Sequence, residues 1–334
     1  MRHRSRRDFV KLAGGLAMAT AFPFPKPSFA GMWSQIFGGL SRDMPPITAN
    51  DDFYITSYRM PPIIRKDNWS LTIKGLVNNP MTFNYPALLA KPTRSEIVTL
   101  ECVGNGIAGE SIGTAEWEGL SLKTLLDEAG VQSNAYDVVF RAADGYSDSI
   151  TLDRAMRDDV LIAHRMNGVT LPQGHGYPAR IIAPGIYGMK NVQWLTEIEL
   201  VPHDYHGYYQ KQGWSDDATV KTMTWINDPQ DGDTLSVGQT KMIRGFAFAG
   251  DRGIRHVKLK WNEDPHWRKV TLSPAQSPYS WVFWSFPWEI TQKGDHRISA
   301  RATDGTGSMQ TLLEEKPFPA GAAGLHEVIV GVTG

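Results

Sequence analysis

The chain holds one cysteine, Cys102, at a position where a thiol could do chemistry. It closes the apolar run Glu96-Ile-Val-Thr-Leu-Glu-Cys102 and opens a loop containing Gly104, Gly106 and Gly109. A thiolate there is a soft ligand for a transition metal, and a flexible loop lets backbone NH groups approach an anion. A lone cysteine also serves as a small buried hydrophobe, and position alone leaves both readings open. The three glycines match the G-x-G-x-x-G spacing of dinucleotide-binding turns, with Asp127 about 20 residues further on. No helical stripe and no β-α-β pattern follows the third glycine, so the context of a nicotinamide or flavin site is missing. A second constellation spans His175-Gly-Tyr-Pro-Ala-Arg180 and the loop Gly185-Ile-Tyr-Gly188-Met-Lys190-Asn191-Val192-Gln193-Trp194. Two glycines, a lysine and two amides can offer backbone NH groups and a cation to a phosphate or a polar heterocycle, as a plain glycine turn also would. His203 and His206 stand in a polar loop with no H-E-x-x-H and no second cluster to complete a zinc set. Neither a G-x-S-x-G elbow nor a G-x-x-x-x-G-K-[ST] loop is present, which gives no support to hydrolase or nucleotidase chemistry.

The elements that must position these residues differ between the two halves. Trp69-Ser-Leu-Thr-Ile-Lys74 alternates apolar and polar residues as a half-buried strand does. Leu122, Leu125, Leu126 and Ala129 recur at helical spacing before Gly130, and strand-like runs follow at 138–142, 160–164, 180–183 and 195–201. The pattern predicts an α+β domain. From about Ser215 helical periodicity disappears, and the runs 257–261, 281–283 and 297–302 alternate at period two between turn residues, predicting an immunoglobulin-like β-sandwich. Five of the 11 tryptophans fall between Trp261 and Trp288 and are read as packing residues.

Length and composition agree with two folded units. The chain has 334 residues, 41% hydrophobic and 21% charged, far from the composition of disordered chains. A formal charge of −1 argues against binding nucleic acid through a basic surface. One cysteine permits no internal disulfide. At the N-terminus, Ser5-Arg6-Arg7-Asp8-Phe9-Val10-Lys11 precedes a short apolar stretch and Ser28-Phe29-Ala30, the pattern of a twin-arginine export signal over residues 1–30 with a periplasmic destination. Its removal takes away six cations and Asp8, leaving an acidic chain of charge −6. Twin-arginine export carries folded proteins, which suits a chain that acquires a cofactor before crossing.

Five segments together resemble one family. Thr99-Leu-Glu-Cys102-Val-Gly-Asn105, Ile112-Gly-Thr-Ala-Glu-Trp117-Glu-Gly119, the run from Asp159 through Gly168 to Pro172, His175-Gly-Tyr-Pro-Ala-Arg180 and Lys190-Asn-Val-Gln-Trp194 occur in the order and spacing of the sulfite oxidase family of molybdenum enzymes. The likeness continues through Ile254–Trp261, Trp281–Trp288 and Gly294–Asp304 into that family's immunoglobulin-like dimerisation domain. It implies a molybdopterin-binding catalytic domain over 31–214 and an immunoglobulin-like domain over 215–334. It also implies a molybdenum cofactor whose metal is held by Cys102, and a pterin gripped by Asn105, Asp144, His175, Arg180, Lys190, Asn191, Val192 and Gln193. Trp117 and Trp214 are implied catalytic positions, Trp214 standing where the family carries a tyrosine.

The departures bear on substrate. Gly106 and Ile107 stand where sulfite oxidases carry arginines, and Thr56-Ser57-Tyr58 replaces an Arg-Asn-His run. A desolvated sulfite dianion needs paired positive charge. The resemblance therefore points to oxygen-atom transfer to or from a neutral or bulkier sulfur or nitrogen compound. Sulfite oxidation proper, S-oxide reduction and a non-catalytic exported binding protein stand as alternatives. His164, Lys190 and Arg301 are candidates to restore the missing charge. With no C-x-x-C-H motif and no iron–sulfur cysteine set, electrons are expected to pass to or from a separate c-type cytochrome or membrane haem carrier. A homodimer is the expected assembly.

Overall fold

The computed structural model describes residues 44–334 apart from Glu263, so the predicted export signal lies outside the described residues. In chain order the first half contains β1 (Ser70–Gly75), β2 (Met81–Asn84), α1 (Tyr85–Leu89), β3 (Arg94–Glu101), β4 (Ile112–Ser121) and α2 (Leu122–Ala129). It continues through β5 (Asp137–Ala142), β6 (Ser147–Thr151), α3 (Leu152–Ala155), β7 (Leu161–Met166), β8 (Val169–Thr170), β9 (Arg180–Ile182), β10 (Leu195–Val201) and α4 (Tyr208–Lys211).

One sheet has the order β2-β1-β10-β5-β6, with β1 and β10 parallel and the other neighbours antiparallel. The second has the order β3-β4-β7-β8, with β9 paired to β7. Alternation does what the sequence requires: Leu71 and Ile73 of β1 are buried with Ile198 of β10, Phe140 of β5, Ile162 of β7 and Ile181 of β9 in one core. Leu161 and Ala163, of opposite parity on β7, join Val98, Leu100, Trp117 and Phe53 on the other face of the second sheet. α2 buries Leu122, Leu125, Leu126 and Ala129; the Ser121 side chain caps its start and Gly130, at φ 69°, ends it. The balance differs from the predicted α+β mixture, because the molecule is mostly β and its four α-helices among the described residues span four to eight residues. Among the described residues only the 122–129 segment carries an apolar stripe long enough for a packed helix; glycine- and proline-rich loops fill the other gaps between strands.

The second half is all β: β11 (Met223–Asp228), β12 (Thr234–Ser236), β13 (Thr240–Phe248), β14 (Ile254–Trp261), β15 (Arg268–Lys269), β16 (Thr271–Leu272), β17 (Val282–Glu289), β18 (Gly294–Asp304) and β19 (His326–Thr333). Two sheets, β11-β13-β17-β16 and β12-β19-β18-β14-β15, share a core containing Ile243, Val257, Trp284, Ile298 and Val330. The halves are stitched together. Tyr279 O accepts from Thr99 N at 3.0 Å, and Trp281 N donates to Thr99 Oγ1 at 2.9 Å, so the second half grips β3, the strand that leads into Cys102. A further core joins Val103, Ile112 and Tyr187 to Trp225, Phe246 and Trp281.

Candidate active site

Four connections of the first half meet at a cleft of about 630 Å³, solvent-open space included. Residues 53–58, which precede β1, supply Phe53, Tyr54, Thr56, Ser57 and Tyr58. β3 delivers Cys102, the β5–β6 turn Asp144 and Tyr146, and α4 Tyr209. Arg180 of β9 and the β9–β10 connection from Gly188 to Trp194 complete the wall. That connection approaches closely because Gly188 has no side chain: a Cβ there would stand 2.7 Å from the Tyr54 hydroxyl.

Cys102 is partly exposed to this cleft. Burial pushes its thiol above the ordinary range, partly offset by the nearby Gly104 backbone, so a bound metal must displace its proton. Behind it, burial pushes the Glu101 carboxyl up to about 8, although Asn105 Nδ2 donates to Glu101 Oε1 at 3.1 Å. Asn105 also accepts from Ser111 N at 3.0 Å, which clamps the glycine loop shut. Asn105 therefore shapes the loop from behind and does not line the cleft.

Arg180 is buried and its fork is spoken for on one side. Nη1 donates to His175 O at 3.0 Å and Nη2 to Asn191 O at 3.1 Å, while the guanidinium carbon lies 4.9 Å over the Trp117 ring. Burial lowers its pKa to about 10, leaving it charged at neutral pH. Asn191 holds the β9–β10 connection by accepting from Ala183 N at 2.7 Å and donating to Tyr187 O at 3.1 Å. Tyr146 N donates to Asp144 Oδ1 at 2.9 Å, and the Tyr146 hydroxyl lies 2.8 Å from both Asp148 Oδ2 and Met189 O. Burial raises the pKa values of Tyr54, Tyr146 and Tyr209, so these phenols present protonated hydroxyls.

The sequence-predicted residues divide accordingly. Cys102, Asp144, Arg180, Asn191, Val192 and Gln193 come together on the cleft, whereas His175 sits just behind it with Nε2 2.8 Å from Asn50 O. Lys190 does not line the cleft: it is buried and paired with Asp148 at 3.1 Å and Asp216 at 2.6 Å, so its cation is consumed structurally. Trp117, expected at a catalytic position, is fully buried behind Arg180, and its Nε1 donates to Val98 O at 3.2 Å. Trp214 also stands off the wall, 6.0 Å from the Tyr209 ring. Neither His164, buried on β7, nor Arg301, whose Nε donates to Gln310 O at 2.8 Å on β18, lines the cleft; among the described residues Arg180 is the one basic residue on its wall. Ile107, at an expected arginine position, lies against Gly324 of the second half. The tyrosines 54, 146 and 209 are site residues that sequence reasoning missed, and no local motif marks them.

The residues fit a polar heterocyclic cofactor. Asp144 Oδ2, His175 Nδ1, Arg180 Nε and Gln193 Oε1 are buried atoms with no hydrogen-bond partner, all at or immediately behind one cleft. Unpaired buried polar groups are costly, and four so placed are what a pterin with its own donors and acceptors would satisfy. Among the described residues no cluster of three His, Cys, Asp or Glu could hold a metal, so a metal at Cys102 would take its other ligands from beyond the described residues.

Comparison with known proteins agrees. Residues 58–209 match the oxidoreductase molybdopterin binding domain. Mitochondrial sulfite oxidase of Drosophila melanogaster is 29% identical over 315 residues, covering 79% of this chain and 55% of the fly protein. Sulfite oxidase of Arabidopsis thaliana is 26% identical over 326 residues, covering 79% of this chain and 82% of the plant protein. The chain thus spans about half the length of the animal relatives it matches. Among solved structures, the sulfane dehydrogenase SoxCD from Paracoccus pantotrophus shares the fold, with a TM-score of 0.67 at 21% identity over 82% of this chain and 80% of that one.

Proposed function

As this chain belongs to the sulfite oxidase-like family of molybdopterin oxidoreductases, we propose that it is an exported enzyme exchanging an oxygen atom with a neutral sulfur or nitrogen compound. The cofactor is Mo-molybdopterin. When bound, it supplies two-electron oxygen-atom transfer: in the reductive direction an S-oxide or N-oxide, two protons and two electrons give the parent sulfide or amine and water. Cys102 holds the metal, and Asp144, Arg180, Asn191, Val192 and Gln193 hold the pterin, with His175, Asn105 and Lys190 bracing them from behind. Tyr54 and Tyr209, kept protonated by burial, donate to a substrate oxygen without adding charge.

The observation that carries the choice of a neutral substrate is the composition of the wall among the described residues: one arginine, already bonded to two carbonyls, against one aspartate. A doubly charged oxyanion in such a site would lack compensation. We further propose a domain division at residues 31–214 and 215–334, an immunoglobulin-like character for the second half and dimerisation through it. A periplasmic destination after removal of residues 1–30 and electron exchange with a separate haem protein complete the reading.

The test uses protein from a molybdopterin-competent host, assayed with reduced viologen on S-oxides and N-oxides and with ferricyanide on sulfite. About one molybdenum per chain and turnover of the neutral oxides are expected. Sulfite as the sole substrate overturns the neutral-substrate reading. Cys102→Ser should lower the rate more than about 100-fold, beyond the loss usual for residues that only support a ligand; a variant of full activity refutes Cys102 as ligand.

A further inference from the structure

A collar of aromatic side chains in mutual contact runs outward from one side of the cleft wall. Tyr58 stands 6.2 Å from Tyr146 and 4.6 Å from Tyr208; Tyr209 stands 6.0 Å from Tyr146 and 5.4 Å from Tyr208, so the four rings close on themselves. The ring extends outward through Trp214, 6.0 Å from Tyr209, to Phe318, 5.3 Å from Trp214. Tyr58, Tyr146 and Tyr209 line the cleft, whereas Tyr208 and Phe318 are 40% and 53% exposed. Phe318 belongs to the second half. It rides on a strap pinned at both ends: Pro319 O accepts from Ser215 N at 2.9 Å, Lys221 Nζ donates to Gly321 O at 2.9 Å and to Glu315 Oε2 at 2.5 Å, and Glu315 pairs with Ala323. Gly213 lies beneath the ring, where a Cβ would approach Phe318 to 3.2 Å. An exposed aromatic held in place by a braced loop, continuous with a cleft wall, is poised for a ligand, because water is a poor neighbour for such a face.

Resting on the oxygen-transfer reading above, we propose that this collar selects substrates by an apolar, planar substituent on the oxide. The class is small alkyl aryl sulfoxides and aromatic amine oxides, whose oxide points into the tyrosine-lined cleft while the ring lies among Tyr58, Tyr208, Trp214 and Phe318. The second half is thereby part of the substrate site. Offset or edge-on packing suits the tilted and perpendicular geometry the collar rings already adopt. The cleft offers such a molecule hydroxyl donors for the oxygen; among the described residues the charged groups on its wall are Arg180 and Asp144, and the exposed Arg59 lies 4.9 Å over the Tyr58 ring at the edge.

The experiment compares dimethyl sulfoxide with methyl phenyl sulfoxide on the holoenzyme, with reduced viologen supplying both electrons, in wild type, Tyr208→Ala and Phe318→Ala. In parallel, methyl phenyl sulfone is titrated calorimetrically as a probe that binds without reduction. The aryl substrate should show a kcat/KM about tenfold above the dimethyl one, a discrimination within reach of apolar contacts. Each variant should lower that preference about fivefold, mainly through KM, and weaken sulfone binding by a similar factor. Equal kcat/KM for the two sulfoxides, or a preference and sulfone affinity untouched by both variants, overturns the collar. Should no oxide turn over, the oxygen-transfer reading fails separately, and the sulfone titration still decides: affinity lost in the two variants supports the collar, and affinity unchanged rejects it.

Discussion

Arg180 shows how little of a residue's role lies in its charge. Its two Nη groups hold the carbonyls of His175 and Asn191, two segments that no strand pairing joins, and its face covers Trp117. A planar fork can do this and an ammonium cannot. Arg180→Lys keeps the charge but leaves a buried carbonyl unpaired, costing about 1–3 kcal/mol. The variant should have a lower urea midpoint and retain less molybdopterin per chain after gel filtration; wild-type cofactor retention would show that charge alone suffices.

Among the elements, the loop between β3 and β4 does the positioning, and a single amide governs it. Asn105 reaches forward to Ser111 N and back to Glu101 Oε1, drawing the chain into a tight return beside the thiol. Asn105→Ala should destabilise the fold by about 1–3 kcal/mol and speed alkylation of Cys102 in cofactor-free protein, since the loop opens. Labelling at the wild-type rate would count against the clamp. In the second half, His326 of β19 accepts from Ile226 N of β11 at 3.0 Å through Nδ1, and burial holds its pKa down to about 4. The unfolded chain binds this proton near pH 6.5 and the folded chain does not, so stability is lost as pH falls from about 6.5 to 4 and levels off below, by at most about 3 kcal/mol. His326→Asn keeps an acceptor near Ile226 and should flatten that portion of the stability curve, measured by urea unfolding across pH.

At the scale of the whole molecule, the two halves share a core. Trp281 leaves the second half to pack with Val103 and Ile112, donates through Nε1 to Pro46 O at 2.9 Å and fixes Thr99 through its backbone NH. Removing it empties a buried site between the halves and loosens β3 just before Cys102. Trp281→Ala should cost about 3–5 kcal/mol and lower molybdenum content together with stability. A single calorimetric transition is expected in wild type. Two separable transitions, with cofactor content insensitive to the substitution, would mean the halves are independent.

Period-two alternation in β1, β14 and β18, the strand-like runs of β5 and β10, the stripe of α2 and the motif positions of Cys102, Arg180 and residues 191–193 are readable from the sequence alone. Each depends on neighbours along the chain or on a segment whose order of residues is itself the signal. The sequence also determined that arginines are missing beside Cys102. Which tryptophan faces the cleft, whether Lys190 keeps a free charge and which tyrosines form the wall are decided only in three dimensions. Lys190 loses its cation to Asp148 and Asp216, 42 and 26 residues away in the chain. Tyr58, Tyr146, Tyr208 and Phe318 become one collar because the segment before β1, the β5–β6 turn, α4 and the β18–β19 connection converge. A side chain's type sets what it can do, while its available partners, and hence what it does, depend on contacts that the linear order leaves open.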